Sequence, residues 1–166
     1  MKKIVRTIIL LTCICSMSKA WAQQADFSGS WQLNKAKSDF GQSDPDRAAA
    51  GKMNIKQQAG AITVEKVILS DGQDNSYSET FTFDGQPAKK VFTTATGSQA
   101  RQTTVQWSQG KLLITANTTV VINGQEGIYT TGQAWTLSAD GKTLTITNNT
   151  VLPDRKVVFT AVYDKL

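Results

Sequence analysis

The chain has 166 residues, with 18 Lys and Arg, 13 Asp and Glu, two Cys and no His. The absence of histidine excludes a Ser-His-Asp triad, and two cysteines alone fall short of the four ligands of a common structural zinc site. The net charge of +5 would suit a polyanionic partner, but it is concentrated in the first segment.

Residues 1–22 have the layout of a secretory signal peptide. Lys2, Lys3 and Arg6 form a positive start, Ile8 to Cys15 a short apolar run, and Ala20-Trp21-Ala22 a cleavage site ahead of Gln23. The run is too short for a membrane-spanning helix, which needs about 20 residues. A lipoprotein signal at Cys13 or Cys15 is disfavoured, because Thr12 and Ile14 stand where that processing takes a small residue. Removing the leader takes away four cations and both cysteines. Residues 23–166 then form a single domain with 14 basic and 13 acidic side chains, which removes most of the case for nucleic acid. The expected location is the periplasm or the cell exterior.

The mature chain shows no sustained helical period, and strands follow one another almost to its end. The first covers Gly29 to Leu33, with Gly29 and Trp31 on one face. A long polar, then Ala-rich connection runs from Asn34 to Lys52. Within it, Ser43 or Asp44 before Pro45 is placed to cap one helical turn through Ala50, stopped at Gly51. Long connections of this kind serve as lids or as structural straps.

Further strands are predicted at Met53–Gln58, around Ile62–Ile68, and at Ser76–Phe83, Lys89–Ala95 and Arg101–Trp107. Four more follow at Lys111–Ile122, Gly127–Leu137, Lys142–Val151 and Lys156–Tyr163. Their turns fall at Ala59-Gly60, Asp71-Gly72, Asp84-Gly85, Gly97, Gln109-Gly110, Asn123-Gly124, Asp140-Gly141 and Pro153-Asp154. Short connections pair each strand with the one before it. The fold class is all-β: an antiparallel up-and-down meander barrel of about 8–10 strands.

The period of two assigns the faces. Tyr77, Glu79, Phe81 and Phe83 share one; Arg101, Thr103, Val105 and Trp107 another. Tyr129, Thr131, Gln133, Trp135 and Leu137 form a third, and Val157, Phe159, Ala161 and Tyr163 a fourth. Glu79, Arg101 and Gln133 interrupt otherwise apolar or amphipathic faces. Two readings stand: they pair with one another or reach water at a rim, or they orient a ligand in the lumen. Trp107 and Trp135 serve either the core or a ligand platform. Thr, Gln, Asn and Lys on the outward faces argue against a membrane-spanning barrel, whose lipid-facing band is apolar.

The Gly29-x-Trp31 pair, the leader, the long segment after the first strand and the meander resemble the lipocalin and calycin group. Phe27 to Leu33 followed by Lys37-Ser38 is also similar to uncharacterised secreted bacterial proteins described as lipocalin-like. The resemblance implies a cup-shaped barrel with a small apolar ligand in its mouth. It also implies a structural plug in which Gly29 and Trp31 are joined by a cation near the last strand, for which Arg155 is the candidate.

The expected function is therefore an exported, non-enzymatic barrel holding a small hydrophobic ligand. Glu79, Arg101, Tyr129, Gln133, Trp107 and Trp135 are its candidate ligand-binding residues, and no catalytic residue, cofactor or metal is expected. The alternative is a protein-interaction or inhibitor module with a filled barrel, using the 34–52 loop. Asp71 to Asn75 hints at calcium but lacks the acidic ligand at the twelfth position, so it is read as a turn.

Overall fold

The computed structural model describes residues 24–70, 73–94 and 97–166. The leader and the Asp71-Gly72 turn, which opens the calcium-like stretch, lie outside the described residues. Ten strands form one antiparallel sheet: β1 (Gly29–Leu33), β2 (Lys52–Gln58), β3 (Ala61–Ser70), β4 (Gln73–Thr82), β5 (Ala88–Thr94), β6 (Gly97–Ser108), β7 (Lys111–Ile122), β8 (Gln125–Leu137), β9 (Thr143–Val151) and β10 (Lys156–Lys165). The only helix among the described residues is a single turn, α1 (Pro45–Ala48).

The sheet order is β4-β3-β2-β1-β10-β9-β8-β7-β6-β5. Each strand therefore pairs with its sequence neighbour, and β1 also pairs with β10, Trp31 facing Lys165 and Leu33 facing Tyr163. The expected β4–β5 hairpin is the exception. These two strands are consecutive but share no ladder, so the meander is a barrel with one open seam. Residues 83–87 connect them. The Asp84 carboxylate accepts from the Thr82 hydroxyl and the Gln86 N–H, and Gly85 takes a positive φ. Pro87, the residue before β5, has no N–H to donate.

Gly97 begins β6 instead of ending a strand. A Cβ there would lie 2.0 Å from the Val121 carbonyl oxygen, so close packing against β7 requires glycine.

One end of the barrel is filled solid. Trp31, Phe27, Ile62, Leu112, Trp135 and Leu144 are fully buried there. Phe27 stacks on Trp107 and meets Trp135 edge-on, both at 5.8 Å between centroids. The chain ahead of β1 is clasped by Gln57, which accepts from the Phe27 N–H and donates to the Ala25 carbonyl. Trp31 Nε1 donates to the Phe27 carbonyl at 2.9 Å. Burying an indole and a phenyl ring stabilises this floor by several kcal/mol, at roughly 1.5–3 kcal/mol per large apolar side chain.

The cation over the floor tryptophan is Lys165, 5.3 Å from the ring centroid, and not Arg155. Register decides it. Arg155 precedes the far end of β10, where it pairs with Asp154, whereas Lys165 is the residue that faces Trp31.

The other end is a mouth crossed by the segment between β1 and β2. Asp39 pairs with Thr160 in an isolated bridge, Phe40 packs on Phe159 at 5.7 Å, and Asp44 caps α1. The helix ends at Ala48. Gly51, expected as its stop, instead donates its N–H to the Val67 carbonyl. Ala49 and Ala50 are buried, so this segment turns its apolar side chains inward as a strap.

Candidate functional site

Between the floor and the strap the barrel lining turns polar. Along β6 the inward residues run from Trp107 through Val105 and Thr103 to Arg101 and Gln99. The facing β7 row runs from Leu112 through Ile114 and Ala116 to Thr118. Along β3 the same face carries Ile62, Val64 and then Lys66.

Two adjoining chambers result. The larger, about 210 Å3, is lined by Lys66, Tyr77, Glu79, Gln99, Arg101, Ala116, Thr118, Tyr129, Thr131 and Gln133. The smaller, about 120 Å3, lies under the strap against Ala48 to Ala50, Met53, Trp135, Ile146, Phe159, Ala161 and Tyr163. Lys66, Tyr77 and Gln133 line both. Each volume lies below the roughly 300 Å3 at which drug-sized pockets begin.

Glu79 is the electrostatic centre. It is 7% exposed, and its Oε1 lies 3.3 Å from the Arg101 guanidinium and 3.7 Å from Lys90 Nζ. Because Glu79 is on β4, Lys90 on β5 and Arg101 on β6, these ion pairs span the seam that no backbone ladder closes. The pairing reading and the lumen reading of Glu79 and Arg101 therefore describe the same geometry.

Lys66 sits beside this pair. Its ammonium lies over the Tyr77 ring, 5.6 Å from the centroid, with no carboxylate within salt-bridge distance among the described residues. Burial lowers its pKa below the usual 10.5; Glu79 partly offsets that and Arg101 adds to it. Tyr163, under the strap, has its phenol pushed upward by burial first and by Tyr77 second, against a backbone hydrogen bond with Ala50.

Gln133 is held at both ends. It accepts from Trp135 Nε1 at 3.1 Å and donates to Asn148 Oδ1 at 3.3 Å. Asn148 in turn donates to Thr150, which shares a hydrogen bond with Thr131. Tyr129 accepts from Gln99 at 3.3 Å. This preset polar wall faces the larger chamber.

Of the candidate residues, Glu79, Arg101, Tyr129 and Gln133 come together on the larger chamber, and Trp135 lines the smaller. Trp107 lines neither and belongs to the floor with Phe27 and Phe83. Lys66, Tyr77, Gln99 and Thr118 were not singled out by sequence reasoning. A lysine in the otherwise apolar Ile62-Val64-Ile68 series was the available signal. No group of three or more acidic, His or Cys side chains among the described residues is arranged to hold a metal. No helix there is long and apolar enough to cross a membrane.

No protein-family model and no curated protein matches the chain. Among solved structures it is similar to a SAHS (secretary abundant heat soluble) protein of Ramazzottius varieornatus. The likeness covers 84% of this chain and 94% of that one, at 11% identity and a TM-score of 0.49. The barrel described above rests on its own strand pairing.

Proposed function

We propose that this protein is an exported, non-enzymatic barrel that binds a small organic molecule in its lumen, in the periplasm or outside the cell. The observation that supports the reading most is the larger chamber. It is a void inside a closed-floored barrel, walled by polar side chains, of which Gln99 is hydrogen-bonded to Tyr129, and Gln133 to Trp135 and Asn148 of the smaller chamber. Preset polar groups around a small cavity are the arrangement that binds a ligand without further ordering cost. The export part of the proposal rests on the leader and on a mature chain without cysteine.

The alternative, a filled barrel that binds partners through the 34–52 loop, has less support. Phe40, Ala49 and Ala50 of that loop face the barrel, where they are spent on packing.

Native mass spectrometry of protein purified from its own host tests the proposal. A co-purified small molecule is expected, and Ala116→Phe, which fills the larger chamber from β7, should release it while the β-sheet circular dichroism signal stays. A bound mass unaffected by Ala116→Phe would place the ligand outside the lumen and overturn the reading.

A further inference from the structure

The larger chamber carries uneven charge. Its lining has two cations, Lys66 and Arg101, and one carboxylate, Glu79. Glu79 is already engaged by Arg101 and, from the seam, by Lys90. Lys66 is left with an aromatic face and no salt-bridged counter-ion among the described residues. A half-buried ammonium with no carboxylate at salt-bridge distance is costly to keep, and burial lowers the Lys66 pKa although the more distant Glu79 partly offsets it. A cationic ligand would have to displace Arg101 and Lys90 from Glu79. A neutral one would leave the lysine with only that distant partial compensation.

The smaller chamber is less polar than the larger: Met53, Trp135, Ile146, Phe159 and Ala161 line it together with Asn148 and Tyr163, and it shares Lys66 and Gln133. The pair of chambers therefore has a polar, net cationic end and a more apolar end.

We infer that the lumen ligand is a small organic acid, its carboxylate set against Lys66 and Arg101 and its apolar part directed toward Trp135 and Phe159. This rests on the lumen-binding reading and gives it a chemical class. The acid supplies Lys66 with a carboxylate at salt-bridge distance, which Glu79, held by Arg101 and Lys90, does not. Glu79 stays with Lys90 and Arg101, so the seam need not open for the acid to be held. The limited volume selects a short chain or a single ring.

Isothermal titration of the purified protein with octanoate and with 1-octanol at pH 7 tests this, after unfolding and refolding to strip any co-purified ligand. The two probes share a chain length and differ in charge. Octanoate should bind at least about tenfold more tightly, the range of a hydrogen bond to a charged group. Added salt should weaken octanoate and leave octanol unchanged. Lys66→Met, which removes a poorly compensated charge and is expected to fold with equal or higher thermal stability, should abolish the preference for octanoate and keep the octanol affinity.

Equal affinity for the two probes would overturn the acid inference while leaving lumen binding intact. An octanoate preference that survives in Lys66→Met would overturn the assigned position. Failure of both probes to bind the wild-type protein would overturn the inference together with the reading beneath it. The wild-type comparison needs no variant, so it decides the charge question even if Lys66→Met does not fold.

Discussion

Lys165 holds its ammonium 5.3 Å from the centre of the Trp31 ring, and it does so across Gly29. A Cβ on Gly29 would stand 2.6 Å from Lys165 Cε, and Gly29 has φ +139°, a conformation that L side chains rarely adopt. Glycine therefore serves both the backbone and the lysine stem. Gly29→Ala is expected to cost about 1–3 kcal/mol in urea unfolding, mostly from backbone strain. Adding Lys165→Ala removes the clash but not the strain. The double variant should stay close to the single one, and full recovery would show that only the clash mattered.

The two inward tryptophans of β6 and β8 should respond differently to loss of the indole N–H. Trp135 Nε1 donates to Gln133, whereas Trp107 Nε1 is buried without a partner among the described residues. Trp135→Phe should destabilise by about 1–3 kcal/mol because Gln133 loses its donor in a buried network. Trp107→Phe should fall well below that. Chemical denaturation of both variants checks the order, and the reverse order would contradict the assigned network.

Glu79 holds the seam. Glu79→Gln leaves Arg101 and Lys90 without their shared carboxylate beside Lys66. A fully buried pair broken in this way would cost about 3–5 kcal/mol. Arg101 is 29% and Lys90 45% exposed, so solvent screening reduces the expectation to about 1–3 kcal/mol. Amide hydrogen exchange should accelerate in β4 and β5 ahead of the paired strands. Unchanged exchange there would show that the strand edges hold without the ion pairs.

Acid should loosen the attachment of the segment after β1. The Asp164 carboxylate accepts from Asn34 at 2.6 Å and from Lys37 at 2.9 Å, and these contacts, Asn34 first, hold its pKa below 3.8. A carboxyl with a folded pKa below its unfolded value contributes stability above the unfolded value and loses it as pH falls through the folded one. The urea midpoint of the wild type should therefore fall below about pH 4, the ordinary carboxylate range. Asp164→Asn should show a shallower fall, with the two curves converging once Asp164 is protonated in the folded state. Parallel curves would rule out this contribution.

Much of the fold was legible because its signals are local. Asp-Gly, Asn-Gly and Gln-Gly turns punctuate the strands, and alternation assigned Glu79, Arg101, Gln133 and Trp135 to inward faces. What escaped depends on distant pairing. Choosing Lys165 over Arg155 as the cation on Trp31 requires the β1–β10 register. The open seam shows only in the full strand order, where β4 and β5 are the two ends of the sheet. The clasp of Gln57 on Ala25 and Phe27 joins residues about thirty positions apart. Lys66 was visible as a charge in an apolar series, but its lack of a salt bridge appears only once Glu79 is seen to face Arg101 and Lys90.

The most direct test of the lumen site is a titration of 15N-labelled protein with octanoate, followed by amide chemical shifts. The largest saturable changes are expected at Lys66, Tyr77, Arg101, Tyr129 and Gln133, the residues around the larger chamber. Changes confined to outward-facing strand positions or to the exposed side of the strap, or no saturable change at all, would contradict it.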